Sequence, residues 1–257
     1  MHWIALLPEP VPHGTAGTLT DPSAALGWWA LRYTPKVARV GEAIVLEVSS
    51  SARLWHGLPA LITDIIQSNK PVALVKYAQG ASSLIAISQL AIAPSRPEQA
   101  AAVWPADDLP LHTLAAALPH VDTLERIGVR TWGQLRTLPR DGLSRRFGAA
   151  LLDALDQAYG ARPDIYPWLT LPDVFEASLE LSAQVDTAIA LLFAAHRLLA
   201  QLKVWLQLRH QGVLALELIW LMDERRDTAH QGTLLLRTAQ ATQDCHHLQR
   251  LLLIRPN

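Results

Sequence analysis

The residues with the clearest capacity for chemistry lie between Val121 and Ala150. Six arginines (Arg126, Arg130, Arg136, Arg140, Arg145 and Arg146) stand there against three acids (Asp122, Glu125 and Asp141), a local charge of +3. They are interleaved with Gly128, Thr131, Gly133, Gly142 and Gly148. Gly128 is expected to break one helix, and Thr131 to cap the next through its side-chain oxygen. The first amides of that helix, on Trp132 and Gly133, would then point outward, and such a helix N-terminus is a ready phosphate site. A second helix start between Gly142 and Gly148, beside Arg140, Arg145 and Arg146, repeats the arrangement. Backbone amides plus arginines hold a phosphodiester chain without reading its bases. The plainer reading of the segment is a helical hairpin with a solvated basic face, and both stay open on these residues alone.

Something must position that segment, and 257 residues suffice for one large domain or two to three small ones. Half of the chain is apolar and 18% is charged, which fits a packed core and excludes a disordered polyelectrolyte. The net charge of -1 gives no global attraction to nucleic acid, so a nucleic-acid surface has to be a local patch. The single cysteine, Cys245, excludes an internal disulfide framework and suits a reducing compartment. The N-terminal Met1 to Pro8 has no basic stretch before its apolar residues and reads as a first strand rather than a signal peptide. No run reaches the roughly 18 apolar residues that span a bilayer. A soluble, cytoplasmic protein without membrane contact is expected.

The elements read as follows. Residues 3–7 form a buried strand, followed by a loop rich in Pro, Gly and Thr to Pro22. Ser23 caps a helix that runs to about Tyr33. Residues 37–40 and 43–48 make a hairpin through Gly41, a helix covers 58–67, a strand 72–77 and a helix 82–93. Residues 94–110, with four prolines, read as a linker. Short helices fill 111–160, and Pro163, Pro167 and Pro172 mark a second linker over 161–174. Phe175 to Leu181 alternates like a strand. A long helix over 186–210 is stopped by Gly212, strands cover 213–222 and 233–238, and a helix begins near Asp244. The expected organisation is α+β multidomain: an α/β domain at 1–93, a helical domain at 111–160 and a βαββα domain at 175–257 that lacks one strand of a βαββαβ module.

Three stretches carry a family resemblance. Leu124-x-x-Ile127-Gly128-Val129-x-Thr131-x-Gly133-x-Leu135, continuing into Leu138-Pro139-Arg140-x-Gly142-Leu143-x-Arg145-Arg146-Phe147-Gly148, resembles the helix-hairpin-helix thumb of Y-family (translesion) DNA polymerases, in the form of the catalytically inactive ImuB-type branch. Upstream, Trp29 to Ala38, Glu42 to Ser49 and Arg53 to Gly57 are similar to palm segments of that family. Downstream, Phe175 to Leu181 with the long helix resembles the opening of its little finger. The likeness implies a reduced palm, a thumb, and an incomplete little finger, with the fingers largely absent.

Two departures bear on activity. The active enzymes hold two metal ions on a first-strand carboxylate and a later Asp-Glu pair, because cations about 3.5–4 Å apart need such a cluster. Here residues 3–7 hold no carboxylate, and Glu9 lies beyond Pro8. The later position reads Val40-Gly41-Glu42-Ala43, with Glu47 five residues on and so facing the other side of a strand. Glu42 and Glu47 are expected at the surface or at strand edges. The 15 residues from Pro8 to Pro22 are too few to build a fingers lid. The resemblance therefore implies a non-catalytic DNA-binding adaptor in damage-induced (SOS) mutagenesis, needing no cofactor and associated with the nucleoid. It implies contact with primer–template DNA, an error-prone replicative-type polymerase and a RecA-like companion.

The implied DNA contacts are Gly128, Arg130, Thr131, Arg136, Arg140, Arg145, Arg146 and Gly148, with Lys203, Arg209, Arg225 and Arg226 of the last domain. A sliding-clamp contact belongs, in the family, to a tail whose motif these residues lack, so the chain is expected to be a truncated product or fragment. An error-prone polymerase with a degenerate site at Glu42 and Glu47, and a module that docks proteins only, stay open as alternatives. Gln201 to Leu206 resembles a clamp peptide, but Leu202, Trp205 and Leu206 share a helix face and read as core. Asp244-Cys245-His246-His247 reads as a capped helix start, since adjacent ligands seldom converge on one ion.

Overall fold

The computed structural model describes residues 1–9, 22–95, 103–179, 188–221 and 231–254. This mixed α/β chain divides into two units, one of residues 1–9 and 30–170 and one of residues 10–29 and 171–257. Among the described residues, no helix is long and apolar enough to cross a membrane.

In the first unit, β1 (Trp3–Pro8), β2 (Val37–Val40), β3 (Ala43–Glu47) and β4 (Leu74–Gly80) form an antiparallel sheet in the order β2-β3-β1-β4. The β2–β3 hairpin turns at Gly41, whose φ of 59° suits a residue without a side chain. Trp3, Ile4, Ala5 and Leu6 are all buried, so both faces of the central strand are covered. β4 runs past the expected end at Tyr77, because β1 pairs with it as far as Gly80 opposite Trp3. A side chain at Gly80 would press on the Ala86 amide, at 2.5 Å, where the strand turns into α3 (Ser83–Ile92). Ser82 caps α3 by accepting from the Ile85 N–H, and α2 (Leu58–Gln67) buries Leu61 and Ile65.

The helical half of this unit contains α4 (Val121–Arg126), α5 (Trp132–Arg136), α6 (Arg140–Phe147) and α7 (Ala149–Ala158). Its core gathers Leu109, Leu111, Leu124, Trp132, Leu135, Leu143, Leu151 and Leu155 around Ile85 of α3. Ala86 and Leu90 of the same helix pack on the sheet residues Trp3, Ala5 and Val45. Ser82 Oγ donates to Ala158 O (2.8 Å) and Ser88 Oγ to Thr113 O (3.0 Å), so α3 serves both halves. Of the first expected linker, residues 103–110 carry a 3-10 turn and the fully buried Leu109. Residues 164–169 return to the sheet. Tyr166 and Trp168 pack on Trp3 at 6.0 and 6.2 Å, and the Leu169 N–H donates to Val37 O.

α1 (Pro22–Ala30) starts one residue before the expected cap, Ser23, and stops short of Tyr33. Tyr33 instead turns back to donate its hydroxyl to Asp64 (2.6 Å). By contact, residues 22–29 group with the second unit.

In the second unit, β5 (Val213–Leu221) and β6 (Gln231–Thr242) form an antiparallel pair. Its inner residues Leu216, Leu218, Leu234 and Leu236 pack on α8 (Ala188–Arg209) and α9 (Cys245–Ile254) through Leu199, Leu202, Trp205, Leu206, Leu248 and Leu252. Leu202, Trp205 and Leu206 are therefore core, as their spacing implied. Two expectations are corrected. Phe175 to Leu179 form no strand; the Phe175 ring sits between Trp28 and Trp205 at 6.5 and 6.0 Å, so its apolar side chain fills a core site without a ladder. Residues 180 and 181 of that expected strand lie outside the described residues. The end of α8 is made by His210 at φ 53°, not by Gly212. Gly212 has another role: a side chain there would stand 2.8 Å from the backbone of Ala241 and Thr242 in β6.

Candidate nucleic-acid interface

The turn between α4 and α5 follows from local residues. Gly128 takes φ 86°, and its N–H donates to Glu125 O. Thr131 and Gln134 form a reciprocal capping box: Thr131 Oγ1 accepts from the Gln134 N–H, while Gln134 Oε1 accepts from the amides of Arg130 and Thr131.

The expected open amide of Trp132 is not there, however. The Trp132 N–H donates to Leu109 O (3.0 Å), and the Leu111 N–H to Arg130 O (3.0 Å), so residues 109–111 run across the start of α5. Asp107 packs against Gly133, where a side chain would meet the Asp107 Cβ at 2.7 Å. Arg136 is also engaged. Its guanidinium lies 4.2 Å above the Tyr159 ring and 3.9 Å from Asp107. The Tyr159 hydroxyl donates to Asp107 at 2.5 Å, and burial, with that acceptor, pushes its pKa well up.

Two helix starts flank the expected second one, and the later of them, at Gly148, lies at the end of the expected range. α6 begins at Arg140 behind Pro139 and carries Gly142 inside it; Gly148, at φ 88°, ends α6 and opens α7. Arg140 forms a two-pronged salt bridge with Asp156, at 2.9 and 2.8 Å, and is not available to a phosphate. Hydrogen bonding to Arg140, aided by the charges of Arg140 and Arg162, holds the Asp156 carboxyl below its ordinary value against the opposing effect of burial. Arg136 and Arg140 line one recess of about 170 Å³ with Asp156 and Tyr159.

Arg145, Arg146, Gly148, Ala149 and Ala150 are all exposed. Arg145 donates to the Asp141 carbonyl (3.3 Å), and Arg146 rests 5.6 Å over the Phe147 ring. Among the described residues neither has a carboxylate partner, and Arg130 is likewise exposed. This turn therefore brings together two guanidiniums without carboxylate partners among the described residues, a side-chain-free Gly148 and the start of a ten-residue helix.

In the second unit Lys203 is exposed on α8. Arg209 is held by its own surroundings: it donates to Pro172 O and Asp173 Oδ1, both at 2.8 Å, and covers the Trp205 ring. Arg225 and Arg226 lie outside the described residues.

The sheet carboxylates behave unequally. Glu42 is exposed, 3.8 Å from Arg39. Glu47, expected at the surface or at a strand edge, ends β3 but is 4% exposed, beside Lys36 (3.4 Å) and accepting from the Ser49 N–H (3.0 Å). Burial raises its pKa, and the Ser49 and Lys36 contacts outweigh that to leave it lowered. Among the described residues, no three His, Cys, Asp or Glu side chains group to hold a metal ion. Asp244 caps α9, accepting from the amides of His246 and His247. Sequence reasoning missed Asp107, Asp156 and Tyr159, which decide the availability of Arg136 and Arg140; no local pattern marks them.

No family model matches the chain. Two curated relatives, each called Protein ImuB, come from Caulobacter vibrioides strains NA1000 / CB15N and ATCC 19089 / CIP 103742 / CB 15. Each is 32% identical over 198 residues, 68% of this chain and 42% of the relative. The chain thus spans less than half the length of the curated relatives it matches. A solved structure described as "Dbh Ternary Complex (substrates partially disordered)" aligns at TM-score 0.44 and 10% identity, over 99% of this chain and 94% of that one. By its sequence identity to the two relatives, the chain is an ImuB-like protein.

Proposed function

We propose that this chain holds DNA as a non-catalytic adaptor in damage-tolerant, mutagenic DNA synthesis. The observation that carries the reading is the exposed turn from α6 to α7. Arg145 and Arg146 stand there without carboxylate partners among the described residues, next to Gly148 and the start of α7. Such a surface takes the phosphate backbone of any sequence. In family terms residues 1–93 act as a reduced palm, 111–160 as a thumb and 175–257 as an incomplete little finger. Arg130 and Lys203 are further phosphate contacts, whereas Arg136, Arg140 and Arg209 serve the fold.

The non-catalytic half of the reading rests on residues present. β1 carries no carboxylate, Glu47 is tied to Lys36 and Ser49, and Glu42 lies at an exposed hairpin. Phosphoryl transfer through two metals needs a convergent carboxylate set that these positions do not supply. Resemblance alone supports the partners, an error-prone replicative-type polymerase and a RecA-like companion, and the place of work at the nucleoid.

The test is the affinity of the chain for a primer–template duplex across a salt series. A linear fall in log affinity with log salt is expected, as counterions are released from several phosphates. A folded chain with no affinity at low salt would overturn the reading in favour of a protein-docking module.

A further inference from the structure

Arg136 is ordered, exposed and already aimed, yet it faces an acid of its own chain. Its guanidinium is held over the Tyr159 ring, and the Tyr159 hydroxyl fixes the Asp107 carboxylate beside it. A carboxylate and a phosphate offer a guanidinium the same kind of oxygen acceptor. We propose that Asp107 is a built-in phosphate substitute: its carboxylate occupies Arg136 and its backbone covers the start of α5, so that both are withheld from DNA. The inference rests on the DNA-holding reading above and specifies which arginines that site admits.

Two features separate this pair from the neighbouring Arg140–Asp156 bridge. Asp156 is largely covered, with 17% of its side chain exposed, and both its oxygens are used, which makes that bridge a fixed part of the helix packing. Asp107 and Arg136 are 61% and 58% exposed and meet at one 3.9 Å contact. Water and salt weaken such a pair, so the mask is partial and a polyanion competes with it. Residues 109–111 hold the acid in place through the Trp132 and Leu111 amide bonds, independently of its charge. Asp108, next in the chain and exposed, makes no ion pair among the described residues and serves as the charge control.

The experiment measures duplex affinity across a salt series for the full chain, D107N, D108N, R136Q, D107N/R136Q and R145A/R146A. The amide of D107N keeps an acceptor for Tyr159 and removes the charge; D107S repeats the test with a smaller side chain. D107N is expected to bind about threefold tighter, and its salt slope to steepen by about 0.9 as Arg136 gains a phosphate. D108N is expected to gain less, and D107N/R136Q to gain nothing over R136Q. An equal gain in D108N, a gain that survives R136Q, or no gain in D107N overturns the mask. If R145A/R146A weakens binding while D107N changes nothing, the DNA-holding turn stands and the mask falls. If only D107N binds, the mask stands and the assignment to the turn falls; if no variant binds, both fall.

Discussion

Arg140 and Asp156 are joined through both guanidinium nitrogens and both carboxylate oxygens, which ties the first residue of α6 to the last turns of α7. The bridge spans the α6–α7 turn that holds Gly148, and it occupies an arginine that lies close in sequence to the two proposed as phosphate contacts. Position 140 thus belongs to the scaffold of the proposed site rather than to the site itself.

Arg140→Ala should therefore lower the melting temperature and weaken duplex binding less than R145A/R146A does. The pH dependence has a definite sign. The Asp156 carboxyl is lowered by Arg140, so its contribution is full above the ordinary aspartate value of about 3.9 and is lost as pH falls through the lower folded value. The melting-temperature gap between the wild type and Arg140→Ala should narrow from neutral pH to strong acid. An unchanged gap would remove the bridge from the account.

Arg145→Ala with Arg146→Ala should weaken binding alike on unrelated duplex sequences. It should flatten the salt slope by up to about 1.8, two phosphates' worth. Both side chains are exposed, so stability should stay within about 0.5 kcal/mol. A loss confined to one sequence would refute backbone recognition.

Gly133→Ala reverses a rule of thumb. In an open helix, Gly to Ala stabilises by about 0.5–1 kcal/mol. Here the new Cβ would lie 2.7 and 2.9 Å from Asp107 Cβ and O. The urea midpoint should drop, by about 1–3 kcal/mol of stability. A rise would mean that residues 105–109 yield easily.

Ser83→Ala removes a fully buried hydroxyl that bonds the Asp164 carboxylate (2.6 Å) and the Tyr166 hydroxyl (2.6 Å). Gln157 Nε2 still donates to both partners, at 2.8 and 3.0 Å. The expected loss is about 1–3 kcal/mol in chemical denaturation, with duplex affinity unchanged. A parallel loss of affinity would link this network to the DNA surface.

Primer extension separates the adaptor from the enzyme. No extension with Mg²⁺ or Mn²⁺ is expected from the wild type. Extension that disappears in Glu42→Gln or Glu47→Gln would establish a working site. Glu47→Gln should lower stability at neutral pH in either case, since the lowered carboxylate stabilises the fold above the ordinary glutamate value of about 4.3 and ceases to do so as pH falls.

What the amino-acid order determined by itself is whatever depends on a few neighbouring residues. The Thr131 cap, the break at Gly128, the hairpin through Gly41, the helix over 58–67 and the Asp244 cap were all legible, because turn and cap energies act within about four positions. The absence of a carboxylate from β1 was equally plain. Tertiary structure alone decided which polar groups remain available. The amide of Trp132 goes to Leu109, the guanidinium of Arg140 to Asp156, that of Arg209 to Pro172, and Glu47 is buried beside Lys36. Those partners lie far off in sequence, apart from the nearer Lys36, and nothing in the local pattern names them. An arginine in a basic stretch looks free until folding brings an acid to it, and the short range of hydrogen bonds makes that a question of packing rather than of composition.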